Sequence, residues 1–377
     1  MATFSPTSRR LKLAATTFVF ALATTTLLWS QGRRFGKEEA LRPTAAPTAA
    51  PSIFTEPVSD YGAKLEALMT RQTVVVTHEE KRKLARELVE LGRGAHFQNQ
   101  GEGKLSLQAW DAALGLYREV GDAPGEVDIL LNRATTVGML GKPDEAEQNL
   151  RQALERVPEI PQNDLQQAAV LHALGQRVGT SGRYDEARGY LDRSLQIRHR
   201  LKEANGEADC LAALGQLSYE QGQSAQARLL LEQAAQGFAR LGKVPARAAV
   251  LGSLGDVALA EGDIEEAEKL YTEGLSVWKE AKQDFWVGRF LARTARVALA
   301  KKELEKAKRL AEESMRLLEV SNGPTAAAWP LMVLGEVAAH QANKAQAQQY
   351  FAKARGLHEL SGRAFGIRLV EQLQRTF

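Results

Sequence analysis

At 377 residues, with 44% hydrophobic and 25% charged side chains, the chain is long enough for several ordinary domains or for one extended array. Its single cysteine, Cys210, excludes an intramolecular disulfide framework and a cysteine-rich zinc site. The net charge of +3 is uneven: residues 1–58 hold seven Lys/Arg and three Glu, so the remaining body is slightly acidic and a nucleic-acid reading falls away.

The first ten residues form a basic n-region containing Arg9 and Arg10. Residues 11–29 follow as an apolar run, LKLAATTFVFALATTTLLW, about the length that crosses a hydrocarbon core as a helix. Cleavage after Ala23 or Gly32 would make it a secretory signal and the product secreted or periplasmic. The first cut would leave Leu27, Leu28 and Trp29 exposed, which favours an uncleaved single-pass anchor. An organelle presequence is a third reading, since residues 1–37 carry no acid. Basic residues flank the segment almost equally, and the arrangement favours an N terminus inside with the rest of the chain on the extracytoplasmic side. Residues 30–58 are a linker whose stretch ALRPTAAPTAAPSIFTEPV has too many prolines for a regular helix and reads as a stiff spacer. Residues 59–79 are a lead-in or N-terminal cap, and Thr73-Val74-Val75-Val76-Thr77 within them is the one strand-like stretch.

From residue 80 a period takes over. Leu171, Leu211, Leu251, Leu291 and Leu331 recur every 40 residues, and Leu130 and Leu88 extend the series backward. Four residues after each stands Gly or Ala: Gly92, Ala134, Gly175, Gly215, Gly255, Ala295 and Gly335. Sixteen residues after the Leu comes Ala, as in Ala187, Ala227 and Ala267, then a large and a small residue. Such spacings put Leu, Leu-Gly and a further small residue on one helical face, with the small residue admitting a second helix closely. Gly182, Gly222 and Gly262 fall between the two helices, where a left-handed C-cap is wanted. The units are 80–120, 124–160, 164–204, 207–244, 247–284, 287–324 and 327–360. The sixth is degenerate, with Thr294-Ala295 for Leu-Gly and Lys302 for the turn glycine. Residues 361–377 are an extra helix capping the open end.

This order of residues, with Pro158 five after Ala153, resembles the tetratricopeptide repeat, in the long form found in kinesin light chains, maltose-regulator activators and Rap-type peptide receptors. The resemblance covers 80–360. It implies an all-α fold, a right-handed α-solenoid of about seven helical hairpins with a capping helix, preceded here by one N-terminal hydrophobic helix. It also implies a concave groove lined by the first helix of each unit. Counted in that register, the groove residues include Asn132, His172, Gln176, Gln216, Tyr219, Asp256, Arg289, Arg293, Arg296, Glu336 and His340.

Chemistry is sparse. The six His have no ligand spacing, and no zinc-protease, paired-cysteine or nucleophile-elbow motif occurs. Gly101-Glu102-Gly103-Lys104 lacks the glycine and the Ser/Thr that a phosphate loop needs at its two ends. No enzyme, cofactor or metal is expected. Arg289, Arg293 and Arg296 at i, i+4, i+7 put three guanidiniums on one face, suited to an acidic or C-terminal peptide segment, against the alternative of a solvated face. The expected function is a membrane-tethered scaffold that holds a partner protein or peptide in the groove. The alternative is a peptide-sensing module whose superhelix changes curvature on binding.

Overall fold

The structure, a computed structural model, describes residues 60–98, 103–160, 162–320 and 324–377. The expected anchor at 11–29 and the linker at 30–58 lie outside them. Among the described residues no helix is long and apolar enough to cross a membrane, and all regular structure is helical.

A leading helix, α1 (Asp60–Gln72), precedes seven helical hairpins. The first two are α2 (His78–Gln98) with α3 (Gly103–Glu119), and α4 (Ala123–Met139) with α5 (Pro143–Arg156). The third and fourth are α6 (Asp164–Thr180) with α7 (Tyr184–Arg200), and α8 (Ala204–Glu220) with α9 (Ser224–Arg240). The fifth and sixth are α10 (Val244–Glu261) with α11 (Ile264–Glu280), and α12 (Asp284–Ala300) with α13 (Leu304–Val320). The seventh is α14 (Ala328–His340) with α15 (Lys344–Leu360), and α16 (Ala364–Thr376) ends the chain. Each helix packs on its hairpin partner and on the next hairpin, so the core is a continuous seam.

The periodic residues build that seam. Leu88, Leu130, Leu171, Leu251, Leu291 and Leu331 are buried, and Leu211 is partly so. From the third hairpin on, the small residue four positions on faces the residue twenty positions after the Leu, while in the first Gly92 faces Trp110. A β-carbon at Gly255 would lie 2.4 Å from Tyr271, and one at Gly335 2.5 Å from Phe351. Where the first helix has Ala295, the second answers with Ala311, both wholly buried. The sixth hairpin therefore keeps the close approach by shrinking the opposite side chain, and its departure from Leu-Gly is compensated.

The turns follow the same economy. Gly262 adopts φ +86°, and Lys302, forty residues later, adopts φ +61°. In both, the amide of the following residue (Asp263, Glu303) bonds back to the carbonyl of Ala258 or Ala298, at 2.9 and 2.8 Å. That is a Schellman closure, and it requires the left-handed residue whatever its side chain.

Two expectations are corrected. Thr73–Thr77 is not a strand. It is a turn that ends by capping α2: the Glu80 amide donates to Thr77 Oγ1 (3.2 Å), and the Thr77 amide to Glu80 Oε2 (3.0 Å). No neighbouring strand exists among the described residues to use the β-branched run, and the capping box takes it instead. The second concerns α16, which does more than cap an open end. It packs on α15, but its entry turn also meets hairpins two to four. Leu360 covers Gly141, Gly362 abuts Pro143, and Ala364 sits on Gly182. Arg177 Nη2 donates to the Gly362 carbonyl (3.3 Å), and Arg368 donates to Tyr184 Oη. The curvature accumulated between hairpins two and seven brings the chain back on itself and closes the concave side.

Candidate functional site

The closed concave side holds a cavity of about 480 Å³. Its walls come from the first helices of hairpins three to six, from Trp329 on α14, and from Arg363 and Phe365 at the start of α16. A second cavity of about 430 Å³ adjoins it, sharing Arg296 and Trp329 as a partition. That chamber is lined by Leu259, Leu299, Met332, Leu369 and Leu373, with Arg296, Glu336 and His340 as its charged or ionisable groups. Burial pushes the Glu336 carboxyl up to about 6, against the nearby Arg296.

Most of the residues expected in the groove reach these chambers. His172, Gln176, Gln216, Tyr219, Asp256, Arg289, Arg293 and Arg296 line the first, and Glu336 and His340 the second. Asn132 reaches neither. It is buried in the seam, and its Nδ2 donates to its own helix at Asp128 O (2.9 Å). His172 lines the wall as a neutral ring: burial, with Arg198 nearby, pushes it down to about 3. Beside it the Cys210 thiol donates to Ser194 Oγ at 3.3 Å, and burial pushes that thiol up to about 11, which makes it unreactive.

The three arginines of α12 all line the cavity but are not equivalent. Arg293 donates to Asp256 Oδ2 through Nε (3.0 Å) and Nη2 (2.8 Å), and Arg296 Nη1 donates to Asp256 Oδ1 (2.8 Å). Tyr271 Oη also donates to Oδ1 (2.9 Å). Burial works to raise the Asp256 carboxyl, but the two guanidiniums outweigh it and hold the group below the usual carboxylate range. Arg293 and Arg296 are thus not a simple solvated face: they are tied to the preceding hairpin through Asp256 while still lining the cavity. Arg289 differs. Its guanidinium lies 4.7 Å over the Trp286 ring, which stacks on Trp278 at 4.8 Å, and it donates to no acceptor among the described residues. Burial, then Arg293 and Arg363, push its pKa down.

Two further acids face the first cavity. Burial raises Asp209 to about 7, with only Asn205 Nδ2 donating to it (3.2 Å), and burial also raises Glu220, whose Oε1 accepts from Gln216 (3.2 Å). Trp286, Arg363 and Phe365 were missed as site residues. Trp286 sits one turn before the arginines and could have been counted on their face. Nothing in the repeat register points to Arg363 or Phe365, which arrive only because the solenoid closes. Among the described residues no cluster of three or more His, Cys, Asp or Glu side chains could hold a metal ion.

The family model of the tetratricopeptide repeat matches residues 86–159 and 166–240. No curated protein gives a significant match. Among solved structures, the apo form of RapI superposes with a TM-score of 0.58 at 13% identity, covering 73% of this chain and 98% of that one. Aspartyl phosphate phosphatase F from Bacillus subtilis gives 0.57 at 12%, covering 96% and 97%. A Rap protein complexed with competence and sporulation factor gives 0.54 at 11%, covering 85% and 99%. At such identities the likeness is one of fold.

Proposed function

The chain belongs to the tetratricopeptide-repeat superfamily, and on that premise we propose that it is a non-catalytic binder of a short peptide, or of the terminal segment of a partner protein, taken up in the first cavity. One observation carries this reading. The return of α16 onto hairpins two to four turns an open groove into a bounded space of about 480 Å³ with aromatic faces and charges of both signs. That volume lies within the range of small-ligand pockets and suits a few residues rather than a long partner helix. It favours the peptide-sensing reading over an open scaffold. A structural relative that holds competence and sporulation factor shows that this fold accommodates a ligand.

The test uses the full chain in detergent, titrated with short peptides of varied terminal charge while tryptophan emission is followed, since Trp286 and Trp329 line the cavity. Saturable changes at micromolar peptide are expected. Binding of folded proteins without any response to peptides would return the function to the outer surface. The tether belongs to the same proposal: residues 11–29 anchor the chain in a membrane with the repeats on the extracytoplasmic side. Protease treatment of sealed vesicles checks it, and digestion of the repeats from the cytoplasmic face would refute it.

A further inference from the structure

The first cavity is lined by more guanidiniums than carboxyls, and two of its guanidiniums make no direct hydrogen bond or ion pair among the described residues. Four guanidiniums (Arg289, Arg293, Arg296 and Arg363) and three carboxyls (Asp209, Glu220 and Asp256) line it. Asp256 is consumed by Arg293 and Arg296. Glu220 and Asp209 accept from neutral amides and form no ion pair among the described residues. Arg289 and Arg363 remain, partly buried, each near enough to influence the other, and neither has an acceptor for its side chain among the described residues. Two like charges left unpaired in a partly desolvated wall are costly unless something compensates them.

From this arrangement we infer that Arg289 and Arg363 form a seat for an oxyanion, a carboxylate or a phosphate of the ligand, with Trp286 as the platform that orients Arg289. A planar guanidinium offers a two-pronged donor edge that fits either group. The stack on Trp286, itself backed by Trp278, fixes the plane of that edge. The acids around Arg363 do not fill the seat. Glu220 feels the charge of Arg363 but makes no hydrogen bond or ion pair with it among the described residues and accepts from Gln216 instead, while Arg177 adds positive charge. The seat is bipartite: Arg289 belongs to the sixth hairpin, whereas Arg363 opens the terminal helix. An oxyanion gripped by both ties α12 to the C-terminal segment. It thereby reinforces the contacts already made by Gly362 with Arg177 and by Arg368 with Tyr184. Ligand capture then strengthens a closure that the chain already makes without it.

The inference rests on the cavity being the ligand site, and the experiment separates the two claims. Full-length protein is treated with phenylglyoxal, and modification of individual arginines is read by peptide mass spectrometry. The probes are hippurate (a mimic of a peptide C terminus), its neutral amide, and inorganic phosphate. Arg289 and Arg363 are expected to react faster than the paired Arg293 and Arg296, and hippurate to slow both at least tenfold while the amide does not. Protection by phosphate as well, or by phosphate alone, supports the seat and assigns the source of the oxyanion; in the second case the peptide-terminus reading fails and the seat stands. Equal protection by hippurate and its amide, or protection by no probe, overturns the inference. The variants R289M and R363M, with R200M on the exposed end of α7 as control, give the second readout. Each lumen variant is expected to weaken a free-acid peptide at least tenfold and to leave its amidated form unchanged. Equal weakening of both forms would make the arginines structural and sink the seat.

Discussion

Two aspartates face the same cavity and titrate in opposite directions. Asp209, on hairpin four, receives one amide hydrogen bond, and burial raises its carboxyl to about 7. Asp256, on hairpin five, is the more buried of the two, yet two guanidiniums and a phenol hold it below the usual range. What separates them is the next hairpin. Hairpin six brings Arg293 and Arg296 into direct ion pairs with Asp256, whereas the charges around Asp209 (Arg198 and Lys243 lowering it, Glu203 raising it) do not offset its burial. The arginine face of α12 is therefore first a structural counterpart of hairpin five, and only its remainder, Arg289, is available for other chemistry.

The largest expected effect breaks the paired side of that comparison. Asp256→Ala leaves two partly buried guanidiniums and the Tyr271 hydroxyl without their acceptor, and should destabilise the fold by about 3 kcal/mol in urea unfolding. A loss under about 1 kcal/mol would mean that the cluster is solvated and the pairing incidental. The next prediction concerns the unpaired acid. Between pH of about 4 and 7 the folded chain keeps a proton on Asp209 that the unfolded chain has released, so this group makes stability fall as pH rises across that window. Asp209→Asn should flatten that slope and raise stability at pH 8 by on the order of 2 kcal/mol. A variant whose stability depends on pH as steeply as wild type's, and matches it at pH 8, would show Asp209 to be ionised at ordinary cost.

Arg289→Met is smaller in stability and sharper in meaning. Removing a guanidinium that has no acceptor should change unfolding free energy by less than about 1 kcal/mol, in either direction, whereas Arg293→Met should cost more because Asp256 loses two of its hydrogen bonds. Equal costs for the two variants would erase the distinction between structural and available arginines on this helix.

Much of this was legible from residue spacing, and the rest was not, for a physical reason. The Leu period and the small residue facing a large one are contacts made within one hairpin, so every repeat states them afresh in the sequence. The Asp256–Arg296 pair was legible too, though unread: both stand five residues after their aligned Leu, one repeat apart, and opposite charges in the same register of neighbouring hairpins are placed to meet. The closure was not legible. Arg177 and Gly362 are 185 residues apart, and their contact depends on small rotations summed over every intervening hairpin. No single position encodes that sum, which is why Arg363 and Phe365 entered the site unannounced and why Asn132, in the same nominal register, stayed in the seam.

The smallest effect tests whether hairpin six carries any strain for its arginines. Lys302 holds the left-handed turn that Gly262 holds in hairpin five, with its own side chain exposed. A β-carbon in that conformation costs about 1 kcal/mol or more, part of which a glycine would return as greater freedom in the unfolded chain. Lys302→Gly should therefore stabilise by about 0.5 kcal/mol, seen as a small upward shift of the thermal midpoint. The neighbouring Lys301–Glu268 pair, at 2.6 Å, does not use the Lys302 side chain and should be unaffected. A downward shift would show that Lys302 makes a contact worth more than its strain. The sixth hairpin would then owe its turn residue to packing, as it owes Ala295 to Ala311, and no relaxation of the repeat pattern would remain to be explained by function.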